Sequence, residues 1–137
     1  MEKEQKEILC KYKNIIYKIF GEEIQEISNS GSIGPMGQFQ ITFFYKPTKF
    51  YITLDADQGL FSLNMEDEVK DWNTLYRIKR FDNEMTEDCL EKALIILKQI
   101  LEKNNFPMYK SENNKLYKKQ NGVYRRIRDI YDELLDD

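Results

Sequence analysis

Six carboxylates crowd one stretch of this chain, Asp55, Asp57, Glu66, Asp67, Glu68 and Asp71, with Lys70 the lone cation among them. Paired carboxylates can act as general acid and base or hold Mg²⁺, provided that burial, a charged neighbour or a cleft sets one apart from the other. Here they fall in loop-like sequence that reads as solvated. A solvated edge or a partner-facing acidic patch is therefore favoured over an active site. Asp55-Ala56-Asp57-Gln58-Gly59 also has the outline of an EF-hand loop, with Glu66 eleven residues after Asp55. Its glycine stands fifth instead of sixth and its flanks read as strands, so a hairpin turn is the better reading.

Other candidate chemistry is excluded more firmly. The 137 residues include no histidine. Ser–His–Asp and Cys–His catalysis, imidazole metal ligation and a histidine pH switch are thus impossible within this chain. The segment from Ser28 to Gly37 carries Gly31, Gly34 and Gly37, but Gln38-Phe39 follows where a phosphate-binding loop needs Lys-Ser/Thr, and no helix comes next. It reads as a connection before a strand. Neither a cofactor nor a metal is expected.

Two features point to binding. Lys110, Lys115, Lys118, Lys119, Arg125, Arg126 and Arg128 are opposed only by Glu112, with Tyr109, Tyr117 and Tyr124 interleaved. Cations among stackable rings suit single-stranded nucleic acid, whereas alternating cations on a hairpin equally guard an edge strand from aggregation. The acids Asp129, Asp132, Glu133, Asp136 and Asp137 follow directly, which favours edge protection. Trp72, the single tryptophan, sits beside the acidic run and suits either a partner surface or the core.

These residues need elements to hold them. A stripe of Ile8, Leu9, Tyr12, Ile15, Ile16, Ile19 and Phe20 predicts an amphipathic helix over 3–20, ended by Gly21. From 38 the period changes to two. Phe39, Ile41, Phe43 and Tyr45, then Phe50, Ile52 and Leu54, then Phe61, Leu63 and Met65 predict an antiparallel meander with one apolar face. The other face keeps Phe44, Tyr51 and Tyr76, and is either partly covered or used for contacts. A fourth strand is expected around 74–81. Thr86 caps a second helix over 87–103, with Leu90, Ala93, Leu94, Leu97, Ile100 and Leu101 as its stripe. Short strands at 108–110, 115–119 and 123–127 follow, the last two joined at Asn121-Gly122, and a short helix is expected over 128–135. The fold class is α+β: one domain over 1–137, an antiparallel β-meander packed against two amphipathic helices, with a C-terminal β-hairpin and a short final helix.

With 33% charged residues, a net charge of −3, no apolar run of membrane length and a charged start, MEKEQKE, the chain reads as cytoplasmic, without a membrane partner. Cys10 and Cys89 lie far apart, outside any Cys-x-x-Cys spacing, and are expected as reduced thiols.

The order of elements carries a family resemblance. A lysine-rich helix leads into a meander containing FYITLDADQGLFSLNME, then an acidic segment, YRIKRFDNEMTEDCLEKALIILKQIL and FPMYKSENNKLYKKQNGVYRRI. Over residues 40–130 this layout, with its closing KLYKKQNGVYRRI hairpin, resembles the small cytoplasmic immunity proteins of bacterial polymorphic and contact-dependent toxin systems. The resemblance implies a non-enzymatic protein that binds the C-terminal domain of a cognate toxin and blocks its active site. Were that toxin a nuclease with a basic channel, the acidic surface of Asp55, Asp57, Glu66, Asp67, Glu68 and Asp71, with Trp72, could occupy it. A nucleic-acid-binding accessory protein using the 110–128 hairpin is the alternative, and a carboxylate enzyme ranks last.

Overall fold

A computed structural model describes residues 2–31 and 38–128. The chain forms an eight-stranded antiparallel sheet whose spatial order follows the sequence, β1 to β8. Helix α1 (Glu2–Phe20) precedes β1 (Ile24–Gly31), β2 (Gln38–Tyr45), β3 (Phe50–Asp57), β4 (Leu60–Glu66) and β5 (Trp72–Thr74). Then come α2 (Leu75–Ile78), α3 (Glu87–Lys103), β6 (Met108–Glu112), β7 (Lys115–Gln120) and β8 (Val123–Ile127).

The period-two apolar residues do what their spacing requires. Phe39, Ile41, Phe43, Tyr45, Phe50, Ile52, Leu54, Phe61, Leu63 and Met65 all point to one face and are buried there. Both long helices cover that face. Along α1, Ile16 and Phe20 are buried, and Leu9, Tyr12, Ile15 and Ile19 pack around them. Tyr12 stacks on Phe39 at 5.7 Å, and Phe20 meets Phe43 and Tyr45 at 5.6 and 5.8 Å. Gly21, at φ +58°, supplies the left-handed residue that ends the helix. In α3 the Thr86 Oγ1 accepts the Cys89 N–H at 3.1 Å, Glu87 and Asp88 occupy the first turn, and Asn104 closes the helix at φ +49°. Polar pins fasten the helix pair from outside: Lys18 to Glu91 at 2.7 Å, and Lys98 Nζ donating to the Ile19 carbonyl at 3.0 Å. Cys10 and Cys89 are free thiols.

The hairpins are tied by tight turns. Gln58-Gly59, Asn113-Asn114 and Asn121-Gly122 each place two consecutive residues at positive φ, the geometry whose twist matches that of the strands. Asp55 and Asp57 therefore belong to a strand ending in a two-residue turn, and the calcium-loop outline has no structural counterpart.

Two expectations need correction. The connection expected from Ser28 is instead the second half of β1, which pairs with β2 as far as Gly31–Phe39. Its side chains from Ile27 onward face solvent and the register slips between Glu26 and Ser28, so no alternation marks it in the sequence. A Cβ on Gly31 would meet the Gln38 carbonyl and the Phe39 Cα, so the glycine permits the close approach of these two strands. The rest of that expected connection, 32–37, lies outside the described residues.

The strand expected over 74–81 is also replaced. β5 stops at Thr74 because Asn73 turns its amide inward, where Oδ1 accepts the Thr74 N–H at 2.7 Å and Nδ2 donates to the Pro107 carbonyl at 2.6 Å. Leu75 and Ile78, three residues apart, then bury one side of the single-turn α2. The final helix expected over 128–135 falls outside the described residues beyond Arg128.

One place in the sheet is narrow. Strand β5 meets β6 through the single pair Trp72–Tyr109, whereas β6, β7 and β8 pair along their full lengths. A small second core of Tyr109 and Ile127, packed with Trp72 and Leu116, lies at this junction. Among the described residues no helix is long and apolar enough to cross a membrane.

Candidate binding face

The helices cover one side of the sheet. On the opposite side, the strand registers align one residue from each of seven strands: Phe44, Tyr51, Glu66, Trp72, Tyr109, Lys118 and Arg125. Directly opposed residues in antiparallel strands point to the same face, so these side chains form one row across the sheet. Phe44 and Tyr51 are in ring contact at 4.9 Å, and Trp72 and Tyr109 at 5.6 Å. Arg77 lies over the Trp72 ring at 5.9 Å. Tyr51 is 36% exposed, a large ring held half in water.

A shallow groove of about 210 Å³ opens between the two aromatic pairs, lined by Tyr51, Thr53, Asn64, Glu66, Trp72 and Thr74. Beside it the Thr42 and Thr53 hydroxyls lie 3.0 Å apart. At the β3 side stand Asp55, which accepts from Gln40 Nε2 at 3.3 Å, and the exposed Asp57. Glu66 contributes negative charge above the groove while making a solvent-exposed pair with Lys70 at 3.3 Å. The face thus runs from acidic at β3 and β4, through aromatic at β5 and β6, to basic at β7 and β8. Rings in a groove with charged flanks suit partner recognition: the rings supply buried area, and the charges supply orientation.

The rest of the acidic run is organised differently. Asp71 is 1% exposed. Its carboxylate accepts from Lys119 Nζ at 2.8 Å and from the Tyr124 hydroxyl at 2.5 Å. Asp67 joins the same ammonium at 2.8 Å, while its other oxygen accepts the Val69 and Asp71 backbone N–H groups, each at 3.0 Å. The solvated edge expected here is therefore corrected for Asp67 and Asp71. Their carboxylates are spent on pinning the 67–71 loop and on holding β7 and β8. The acidic and basic stretches are stitched together at this latch, not set apart as separate surfaces. Glu68 remains exposed at the loop's outer edge. Among the described residues, no three of Asp, Glu and Cys converge in a way that could hold a metal ion.

The latch also titrates. Burial alone would lower the Lys119 pKa, but hydrogen bonds and charge from Asp67 and Asp71 outweigh it and raise it well above the ordinary lysine value. The Tyr124 pKa is raised by its hydrogen bond to Asp71, then by burial and by that same charge. Both groups keep their protons in the fold at pH values where the unfolded chain releases them, from about pH 10 upward. Stability from the latch is thus complete below about pH 10 and declines as pH rises further. Urea midpoints measured at pH 8 and pH 11 should show this loss, and Tyr124→Phe should shrink it; an unchanged difference in that variant would remove Tyr124 from the account.

Phe44 and Tyr51 were signalled in the sequence by large rings at the polar phase of the alternation. Lys119 and Tyr124 had no local signal, because their partners lie more than fifty residues earlier. Comparison with protein-family models, with curated proteins and with solved structures finds no match.

Proposed function

We propose that this chain is a non-enzymatic binding protein of the immunity type, acting in the bacterial cytoplasm, whose open sheet face covers the active site of a cognate toxin domain. The observation that carries this reading is the groove on the side of the sheet away from the helices, where Tyr51 and Trp72 flank Glu66, with Asp55 and Asp57 farther along β3 on the same side. A toxin with a basic substrate channel would meet the acidic half of that face, with the rings seated against its rim. In this reading Glu68 adds to the approach field from the loop edge, while Asp67 and Asp71 act indirectly, by fixing the loop that leads into Trp72.

The nucleic-acid alternative is less well supported. Lys110 lies over the Tyr124 ring at 4.0 Å and near Tyr117 at 5.5 Å, and the Tyr124 hydroxyl is committed to Asp71. Bases would have to displace these contacts before stacking.

The test is calorimetric titration of the intact protein with the C-terminal domain of a large secreted protein encoded immediately upstream, where the gene order supplies one. Tyr51→Ala and Glu66→Lys should each weaken binding by about tenfold to a hundredfold, the range of a truncated interface anchor. Ile95→Ala, on an exposed position of α3, should leave it unchanged. Wild-type affinity in both face variants would exclude this face.

A further inference from the structure

The sheet ends at β8, and that end is built unlike the other. At β1 the edge is interrupted by the register slip beside Ile27 and flanked by the Lys13–Glu26 pair at 2.8 Å. β8 pairs with β7 in unbroken register from Gln120–Val123 to Leu116–Ile127. Among the described residues no further strand pairs with its outer side, and Val123, 68% exposed, begins it. The strand, Val-Tyr-Arg-Arg-Ile, contains no acidic residue, and Arg128 follows it.

Strand alternation sorts these side chains. Tyr124 and Arg126 share the phase of Lys110 and Lys119, on the side of the sheet where the helices lie; Val123, Arg125 and Ile127 take the opposite phase. β8 is also held from behind, because Tyr124 and Lys119 on neighbouring strands both bond to Asp71. A straight edge fixed before binding keeps the ordering cost of strand addition low. The cations make this edge selective: they repel β8 of a second copy and attract an oppositely charged strand.

We propose that β8 is a docking edge for an extended acidic peptide, which adds as a ninth strand. Carboxylates at alternate positions would face Arg126 and Arg128, and an apolar residue between them would lie beside the exposed Val123, while Ile127 stays buried against Tyr109. Main-chain hydrogen bonds supply affinity, and the alternation of cationic and apolar side chains along the edge supplies sequence preference. This edge adjoins the β8 end of the open sheet face, where Arg125 lies, but strand addition to it does not depend on the toxin-binding reading.

The probe is a fluorescein-labelled ten-residue peptide of alternating Glu and Val, titrated into the full chain by fluorescence anisotropy at 50 mM and 300 mM NaCl. Binding should be saturable and weaken with salt, and the peptide should slow amide exchange in β8. The double variant Arg126→Glu/Arg128→Glu should lose at least tenfold in affinity. A peptide of the same sequence, N-methylated at alternate amides, keeps its charge but not its strand-forming N–H groups, and should lose at least tenfold as well. Equal binding of the methylated peptide would reduce the contact to charge alone and overturn strand addition. Tighter binding of an oligo(dT) 15-mer than of the peptide, or undiminished binding by the double variant, would overturn the proposal equally.

Discussion

Replacing Asp71 with alanine should destabilise the protein by about 3 kcal/mol, a loss typical of removing one partner from a buried ion pair. The carboxylate is almost fully enclosed, and its removal leaves two groups in difficulty. The Tyr124 hydroxyl loses its 2.5 Å acceptor, and the Lys119 ammonium keeps only Asp67. Because Asp67 remains and Lys119 is partly open to water, the loss falls at the low end of the range for such pairs. Asp71→Asn keeps an acceptor for Tyr124 and should cost less. Urea unfolding followed by tryptophan fluorescence measures both. A loss under about 1 kcal/mol for Asp71→Ala would place the latch with ordinary surface ion pairs.

Phe20→Ala should cost more, about 4 kcal/mol, in line with truncation of a fully packed phenylalanine. Phe20 is the last residue of α1 and meets Phe43 and Tyr45, so it joins the helix to two positions of β2. Truncation opens a cavity where helix and sheet meet, and Gly21 follows directly, so the backbone there cannot close on it by extending the helix. Amide exchange in α1 should accelerate more than in α3, whose Leu90, Leu94, Leu97 and Leu101 stay buried against the sheet. Equal acceleration in both helices would show that Phe20 supports the core at large, with no special hold on α1.

What could be read from the sequence follows from how local each signal is. The α3 cap at Thr86 and its stop at Asn104 depend on neighbours within four residues, and both stand where the spacing places them. The same holds for the inward residues of β2, β3 and β4 and for the Asn121-Gly122 turn. β1 escaped because a solvent-facing edge strand of Gln, Ser and Asn owes its conformation to the partner it pairs with. The 74–81 segment escaped because Asn73 reaches Pro107, thirty-four residues away, and that bond ends the strand. The site divides along the same line. Asp55, Asp57, Glu66 and Trp72 fall on or beside the open face, whereas Asp71 is drawn inward by Lys119 and Tyr124, partners that no local pattern connects to it.

The narrow meeting of β5 and β6 carries a consequence for how the molecule breathes. Strands β6 to β8 form a locally connected meander, tied to the remainder by one strand-to-strand residue pair, by Met108 in the main core, by the Asn73–Pro107 hydrogen bond, by the small Trp72–Tyr109 cluster and by the Asp71 latch to Lys119 and Tyr124. Such a unit can detach in a sub-global opening well below the free energy of complete unfolding. The chain's sole tryptophan lies on the joint, so its emission would register that opening directly. Trp72 is thereby an intrinsic gauge of whether the C-terminal meander is docked, readable in the unlabelled protein.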